Sequence, residues 1–291
     1  MSCNISIFAK RAFFNISPGE EYDKRTKPIR GGHLQRVSSI IRADQIAERI
    51  GAKLNPTSGY ENDVCIYVKP MVRKGEDFKF EGREAYIDII DGHNLGELAA
   101  KHPDVGVIVC SRADSDVMFR VIPNRIVVIP QHHCNFERIK KSPGKVKTVG
   151  CIGVERAFSF LPSGLSGELK KRGIDLLTFS KFYSRQDIID FYMKIDVQIV
   201  WRPYRKVLSN PLKIVNAMSF GIPTIALDEP AFREVAGCYD PVHTIEEFLD
   251  RLDILRSEHS VYEDFSTMCL GMAEKYHIDT IAGLYKRLCT S

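Results

Sequence analysis

The sequence lacks long hydrophobic segments. In a chain of 291 residues, 44% hydrophobic and 27% charged, no run of about 18 apolar residues occurs, so no membrane-spanning helix is expected. The first residues, MSCNISIFAKRAFF, contain no apolar core followed by a small-residue cleavage site, which a secretory signal requires. We therefore expect a cytoplasmic protein.

Paired cysteines are also missing. The eight cysteines are scattered from Cys3 to Cys289 without a Cys-x-x-Cys pair. Cys65, Cys110 and Cys151 lie in predicted strands, where a thiol acts as a small hydrophobic side chain. This pattern predicts reduced thiols, without a disulfide framework or a zinc site, and agrees with a cytoplasmic location.

Charge is not concentrated in a way that predicts nucleic-acid binding. The formal net charge is only +4, and no RNP, helix-turn-helix or aromatic-interleaved basic pattern occurs. Basic residues cluster between Arg138 and Lys147, where a solvated face and weak attraction to an anionic membrane surface are both open. His132, His133 and Cys134 are adjacent, but no second group of ligands accompanies them, so a loop is favoured over a metal site.

Strands alternate with helices along the chain, which is typical of parallel sheets covered on both faces. The predicted strands are Cys3–Lys10, Val64–Val68, Tyr86–Ile90, Gly106–Cys110, Arg125–Ile129, Lys147–Ile152, Ile174–Phe179, Val197–Trp201 and Thr224–Leu227. The predicted helices are Leu34–Ile50, Leu95–Lys101, a short one from Ser111, Gly164–Arg172, Arg185–Lys194, one beginning at Pro211, and others through to Leu288. A hairpin-like stretch is expected near Phe78–Phe80.

A polar, basic stretch with a proline at each side, residues 130–147, is typical of a linker. The length suits two α/β domains, residues 1–140 and residues 141–291. Ligands of such sheets bind at the carboxyl ends of the strands, so we expect the functional cleft between the domains.

The segment LSNPLKIVNAMSFGIPTIA, residues 208–226, is the most informative part of the chain. Ser209 and Asn210 are preferred N-cap residues and Pro211 suits a first helical turn, so a helix is expected to begin here. A helix N-terminus attracts anions, and Lys213 adds a positive charge in the first turn. Asn216 lies on the same face and could reach a ribose. The pattern indicates a nucleotide-diphosphate site; an ordinary helix with a solvated lysine is the alternative.

This segment resembles the donor-binding segment of GT-B glycosyltransferases, where a Pro-x-Lys helix is followed by a polar residue, an alanine, Gly-x-Pro and a strand. Many of these enzymes carry a Glu-x7-Glu pair, but here the two positions hold Leu208 and Asn216. The closer match is the group typified by the xanthan glucuronosyltransferase GumK. In that pattern Leu212 lies against the base or ribose, Lys213 on the diphosphate and Asn216 on the ribose. The resemblance covers nearly the whole chain and is most specific over residues 147–237.

The resemblance implies a fold, a reaction and partners. It implies the GT-B architecture of two Rossmann-like domains and a nucleotide-diphosphate sugar of the UDP or GDP type as the donor substrate, with no cofactor. The acceptor would be a glycan or glycoconjugate. Such enzymes stabilise the leaving diphosphate with a helix end and basic side chains, so no metal is expected, and the chain has no Asp-x-Asp motif to hold one.

Further donor-side candidates follow the strands of the second half. Gly153 is expected to admit the donor, and Arg156 to contact the diphosphate unless it is a surface arginine. Phe182 or Tyr183 could stack on the nucleobase. Arg202 could neutralise the diphosphate as charge develops on it.

The first half offers a loop and a base. Gly31, Gly32 and His33 precede a predicted helix and could face a phosphate or the acceptor, a plain turn being the alternative. Asp91 and His93 follow the strand Tyr86–Ile90, so each could take the proton of an acceptor hydroxyl, with Asp91 preferred. The alternative for Asp91 is a cap of the next helix.

Three functional hypotheses follow. The first is a metal-independent glycosyltransferase, of undetermined stereochemistry. The second, a nucleotide-sugar-binding pseudoenzyme or partner subunit, is favoured by the absent glutamates. The third, a UDP-sugar epimerase, finds no matching acidic and histidine-bearing pattern.

Overall fold

The computed structural model describes residues 4–10, 37–72, 78–203 and 207–290. The described residues form two parallel β-sheets. The first has the strand order β2-β1-β3-β4-β5-β6 and the second the order β11-β10-β9-β7-β8. The first sheet consists of β1 (Ile5–Ala9), β2 (Lys53–Leu54), β3 (Val64–Val68), β4 (Glu84–Ile90), β5 (Gly106–Val109) and β6 (Ile126–Val128). The second consists of β7 (Thr148–Ile152), β8 (Asp175–Phe179), β9 (Val197–Val200), β10 (Thr224–Leu227) and β11 (Asp240–Val242).

Helices separate most successive strands. They are α1 (Val37–Ser39), α2 (Gln45–Ile50), α3 (Leu95–Ala100), α4 (Arg112–Phe119), α5 (Glu155–Phe158), α6 (Leu165–Lys171), α7 (Arg185–Lys194), α8 (Leu212–Ser219), α9 (Ile245–Ser257), α10 (His259–Ala273) and α11 (Ile278–Arg287). A π-helical turn, Ile40–Asp44, joins α1 to α2, and 3₁₀ turns cover Pro230–Val235 and Glu274–Tyr276.

The central strands are buried on both faces. All five residues of β3 and all four of β5 and β9 are buried. Parallel strands between two helical layers consist mainly of apolar residues, because neither face of the sheet meets water. Continuous apolar runs of this kind made the strands predictable.

The last helix, α11, returns to the first sheet. Its residues Ile281 and Tyr285 lie in one core cluster with Ile7 and Ile46. The chain therefore passes between the two sheets twice, once through residues 130–147 and once before α11. The predicted domain boundary near residue 140 stays a prediction.

A buried ion pair holds these elements together. Arg42 and Asp88 are both fully buried, with Arg42 Nε 2.7 Å from Asp88 Oδ2. Arg42 Nη1 donates to the carbonyl oxygens of Ile129 and Pro130, at 2.9 and 2.7 Å, and the Tyr285 hydroxyl donates to Asp88 at 3.1 Å. The π-helical turn, β4, the start of the linker and α11 thus share one polar cluster.

Several local features differ from the sequence expectations. The strands β2 and β11 are short edge strands without an extended apolar run, so no pattern predicted them. The expected hairpin near Phe78–Phe80 is absent from its described residues; Phe78 and Phe80 instead pack against Tyr67 at ring distances of 5.4 and 5.2 Å. Six described cysteines are free and buried, whereas Cys289 takes part in a disulfide, contrary to the expectation of reduced thiols.

The basic cluster of the linker is partly neutralised. Arg138 pairs with Glu274 at 3.0 Å and Lys141 with Asp196 at 2.8 Å. In the described part of the chain, no helix has both the length and the apolar character needed to cross a membrane.

Candidate functional site

Two cavities of about 360 Å³ each lie in the cleft between the sheets. Cavity A is lined by apolar and aromatic side chains of both domains, among them Ile40, Phe182, Tyr183 and Ile188. Cavity B has a more polar lining that includes Lys69, Asp91, Trp201, Arg202 and Asn210. Val37, Ile41, Leu212 and Lys213 line both cavities. The cavities are therefore neighbours that share a wall built from α1, the π-helical turn and α8.

A buried hydrogen-bond network fixes the backbone of Lys213 in the first turn of α8. The Lys213 carbonyl oxygen accepts bonds from Gln198 Nε2 at 3.0 Å and from the Tyr192 hydroxyl at 3.3 Å. Gln198 and Tyr192 are fully buried and bonded to each other at 2.9 Å. Gln198 also donates to Thr224 at 3.1 Å. The start of α8 is thus anchored on the neighbouring strands β9 and β10.

The amine of Lys213 lies beside Gly153, which directly follows β7. A Cβ atom at residue 153 would be 3.1 Å from Lys213 Nζ. The glycine therefore leaves open the space next to the amine. The sequence placed Arg156, not Lys213, as the cation beside this glycine, and the binding roles of Gly153 and Lys213 stay predictions.

The residues that enter α8 are arranged differently from the simple cap that the sequence suggested. The N-cap position is Pro211, and the Asn210 side chain accepts a bond from the Leu212 N–H at 3.1 Å. Ser209 is buried, and its hydroxyl donates to Glu229 at 2.9 Å. Ser209 thus joins the loop to Glu229, and Ser209, Asn210 and Leu212 all line cavity B.

Arg202 follows β9 and lines cavity B, but its charge is already paired. Its Nε lies 2.8 Å from Glu229 Oε1, and Nη2 donates to the Ser209 hydroxyl at 2.8 Å. The Glu229 side chain is only 3% exposed. Because the carboxylate balances the guanidinium charge, Arg202 offers little net attraction to a diphosphate.

Asn216 lines cavity A and joins α8 to the linker. Its Oδ1 accepts the Cys134 N–H at 2.9 Å, and the residue is 9% exposed. The structure therefore gives Asn216 a packing role, and the predicted ribose contact stays a prediction.

The two aromatic residues after β8, Phe182 and Tyr183, line cavity A, and their stacking on a nucleobase stays a prediction. Tyr183 and Ser184 donate their N–H groups to Asp187 Oδ2, each at 2.8 Å, and Ser184 and Asp187 form a capping box at the start of α7. This cap fixes the backbone next to Phe182. Arg156 is exposed on α5 and lines neither cavity.

An ion pair from the first domain faces cavity B. Lys69 Nζ lies 2.6 Å from Asp91 Oδ1, and both side chains are about one third exposed, at 31% and 33%. Lys69 follows β3 with φ 44°, and Ile90, which ends β4, has φ 53°. Left-handed conformations of non-glycine residues cost about 1–3 kcal/mol and concentrate at functional sites. Sequence reasoning missed Lys69, because a pairing 22 residues apart leaves no local pattern.

The other first-domain predictions have mixed outcomes. His93 is exposed and lines neither cavity. The helix α3 is capped at Asn94, without a side-chain acceptor from that residue. Gly31, Gly32 and His33 lie outside the described residues.

Two linker histidines also line cavity A, which the sequence did not predict. Burial lowers the pKa of His132 to about 4 and that of His133 to about 3. His132 Nε2 lies 2.9 Å from the carbonyl oxygen of Ile41. Neutral histidines here connect the linker to the π-helical turn; only tertiary contacts reveal this.

Carboxyl groups at the domain contact have raised pKa values. Burial, together with the neighbouring charges of Glu234 and Asp91, raises the pKa of Asp114 to about 6. Glu234 accepts a bond from the Arg112 N–H across the domain contact, and burial raises the pKa of Glu234 as well. Glu234 thus caps α4.

No family model and no curated protein matches this sequence. Solved structures that are similar to it include the three that follow. The Glycosylation Associate Protein (Gap123) complex from Streptococcus agalactiae has a TM-score of 0.56 and 12% identity, covering 79% of this chain and 55% of that one. HepE of Anabaena, in complex with UDP and glucose, has a TM-score of 0.50 and 15% identity, covering 67% and 65%. The accessory secretory protein 1, 2 and 3 structure from Streptococcus pneumoniae has a TM-score of 0.51 and 10% identity, covering 76% and 51%.

These likenesses and the two sheets define the class. The chain has a two-domain α/β fold of the GT-B type, which confirms the predicted fold class. It spans about half to two thirds of the length of these structures.

Proposed function

We propose that this chain binds a nucleotide-diphosphate sugar of the UDP or GDP type in cavities A and B and transfers the sugar, without a metal, to a hydroxyl of a glycan or glycoconjugate. The observation that carries the proposal is the position of Lys213. Its amine lies beside the open space at Gly153, on the wall that both cavities share. A nucleoside in one cavity and a sugar in the other would place their diphosphate at this amine.

The lining of each cavity suits one part of the donor. Cavity A is largely apolar and carries Phe182 and Tyr183, so a nucleobase can stack there. Cavity B carries Asp91 and Asn210, which can accept or donate hydrogen bonds to sugar hydroxyls. The diphosphate would meet Lys213 and the N-terminus of α8, where the helix dipole favours negative charge.

The chemistry needs a base and a stabilised leaving group. Asp91 in cavity B would accept the proton of the acceptor hydroxyl as the oxygen attacks the anomeric carbon. The charge that develops on the departing diphosphate would be stabilised by Lys213. The more specific likeness to the GumK group belongs to this proposal, as do a cytoplasmic location and weak attachment to a membrane surface.

A thermal-shift screen tests the binding part. UDP, GDP and their sugars should raise the melting temperature of the wild type, because a ligand that binds only the folded state stabilises it. Lys213→Ala should reduce this shift strongly, since a charge-assisted contact contributes about 1.5–3 kcal/mol, or about ten- to hundredfold in affinity. Lys170→Ala, an exposed lysine of α6 outside both cavities, is the matched control. Equal shifts in all three proteins would reject the proposed role of Lys213.

A non-catalytic nucleotide-sugar-binding subunit is the second candidate. The two positions that hold glutamates in many resembling enzymes are used for packing here: Leu208 is buried against the first domain and Asn216 holds the linker. Two of the similar structures contain several proteins, the Gap123 complex and the accessory secretory proteins 1, 2 and 3. Slow hydrolysis of a bound UDP- or GDP-sugar by the purified chain would favour the enzyme, and binding without any turnover would favour the subunit.

A further inference from the structure

The loop that leads into α8 is packed into the first domain, although α8 belongs to the second. Leu208 is 1% exposed and lies in one core cluster with Ile87, Ile89 and Leu95. Leu208 therefore belongs to the loop of the second domain but packs in the core of the first, so it links the two domains. Any separation of the domains would expose Leu208 or move the loop.

The next residue of the loop is held by the start of α4. The Ser209 N–H donates to Asp114 Oδ1 at 2.9 Å, and the Ser111 hydroxyl lies 3.5 Å from the Ser209 carbonyl oxygen. Asp114 is 2% exposed, and among the described residues its Oδ2 has no hydrogen-bond partner. The Ser111 hydroxyl also accepts the Asp114 N–H at 3.0 Å. Ser111 and Asp114 at the start of α4 thus hold the backbone of Ser209 on both sides.

Only three residues separate Ser209 from Lys213, so the placement of Ser209 affects the placement of Lys213. Asn210 follows directly, and its side chain accepts the N–H of Leu212, the first residue of α8. Ser209, Asn210, Leu212 and Lys213 all line cavity B. A displaced Ser209 would therefore shift the first turn of α8 and the amine beside Gly153.

We infer that Asp114 is a positioning residue for the nucleotide site: through Ser209, and together with buried Leu208, it makes the placement of Lys213 depend on the docking of the first domain. The inference rests on the proposed function. Asp114 itself does not line either cavity. Its effect on ligand affinity would be transmitted through the loop.

The test compares three variants of the full chain by calorimetric titration with UDP, GDP and the corresponding nucleosides. Asp114→Ala removes the acceptor of the Ser209 N–H, and affinity for the diphosphate that binds should fall about five- to tenfold, with little change for its nucleoside. Asp114→Asn keeps an acceptor oxygen of the same shape and should restore affinity to within about twofold of the wild type. Asp116→Ala, an exposed carboxylate of the same helix, is the matched control.

Trp201, the single tryptophan of the chain, provides a readout that needs no ligand. It lines cavity B beside Leu208 and Ser209, so its emission should change in Asp114→Ala and in Leu208→Ala but not in Asp116→Ala. If Asp114→Ala fails to fold, Leu208→Ala takes its place in both measurements.

The outcomes separate this inference from the proposed function. Wild-type-like affinity and emission in folded Asp114→Ala would overturn the positioning role, as would an equal loss of affinity for nucleoside and diphosphate. If the wild type binds neither UDP nor GDP, the proposed function fails and the positioning of a nucleotide site fails with it. Changed Trp201 emission would then still show that Asp114 holds the loop.

Discussion

The contact between Gly153 and Lys213 predicts the effect of adding one methyl group. The backbone of Gly153 is not in the left-handed region, so alanine can adopt it. The added Cβ would lie 3.1 Å from Lys213 Nζ and 3.4 Å from the Ala157 Cβ. A contact of 3.1 Å is tight, but the amine ends a flexible side chain and can move by a few tenths of an ångström.

Gly153→Ala should therefore separate folding from binding. The substitution lowers the conformational entropy of the unfolded chain, which stabilises the folded state by about 0.4–1 kcal/mol. This gain offsets the tight contact, so the free energy of unfolding should change by less than about 1 kcal/mol. The methyl group fills the space next to the amine, where we place the diphosphate. We expect the affinity for UDP or GDP to fall about tenfold, or about 1.4 kcal/mol.

Urea unfolding and calorimetric titration measure the two effects. Gly167→Ala is the matched control, because it lies within α6 and no atom lies within 4 Å of its added Cβ. It should stabilise the fold by about 0.5–1 kcal/mol and leave nucleotide binding unchanged. Undiminished nucleotide-diphosphate affinity in Gly153→Ala would refute the placement of the diphosphate.

Three further predictions follow from the same cleft. Asp91→Asn should lower transfer activity about 10²–10⁴-fold with donor affinity retained, and His93→Ala should lower it less. Steady-state kinetics with a working acceptor checks this ranking. The reverse ranking would assign the role of base to His93. Burial raises the pKa of Asp114 from 3.8 to about 6, so its protonated form favours the folded state, and this stability is lost as the pH rises from about 4 to 6. Urea unfolding should show the wild type losing up to about 3 kcal/mol relative to Asp114→Asn between pH 4 and 7; parallel pH profiles would contradict this. Arg202→Ala leaves buried Glu229 unpaired and should lower the free energy of unfolding by about 2–4 kcal/mol in the same assay, whereas an unchanged midpoint would show that the pair contributes nothing.

Local patterns account for the part of the structure that was predictable. The strands Val64–Val68 and Thr224–Leu227 were predicted with their observed bounds, because strands buried on both faces form short apolar runs. The helix that carries Lys213 was predicted from turn and cap residues that lie within a few positions of it. These sequence patterns span only a few neighbouring residues, and the strands and the helix they predicted are present in the structure.

Long-range contacts account for what could not be predicted. Asp114 and Ser209 are 95 residues apart, and Arg42 and Asp88 are 46 apart, so neither pair leaves a mark in any short window of sequence. The return of α11 to the first sheet is likewise decided by tertiary packing. Arg156 matched the expected spacing after β7, but α5 is only four residues long and leaves the side chain exposed, outside both cavities.

A crystal structure of the chain with bound UDP or GDP tests the central claim most directly. We expect a diphosphate oxygen within about 3.2 Å of Lys213 Nζ, the nucleobase in cavity A beside Tyr183, and the terminal phosphate directed into cavity B. A nucleotide bound elsewhere, or one bound in the cleft with its diphosphate away from Lys213, would contradict it.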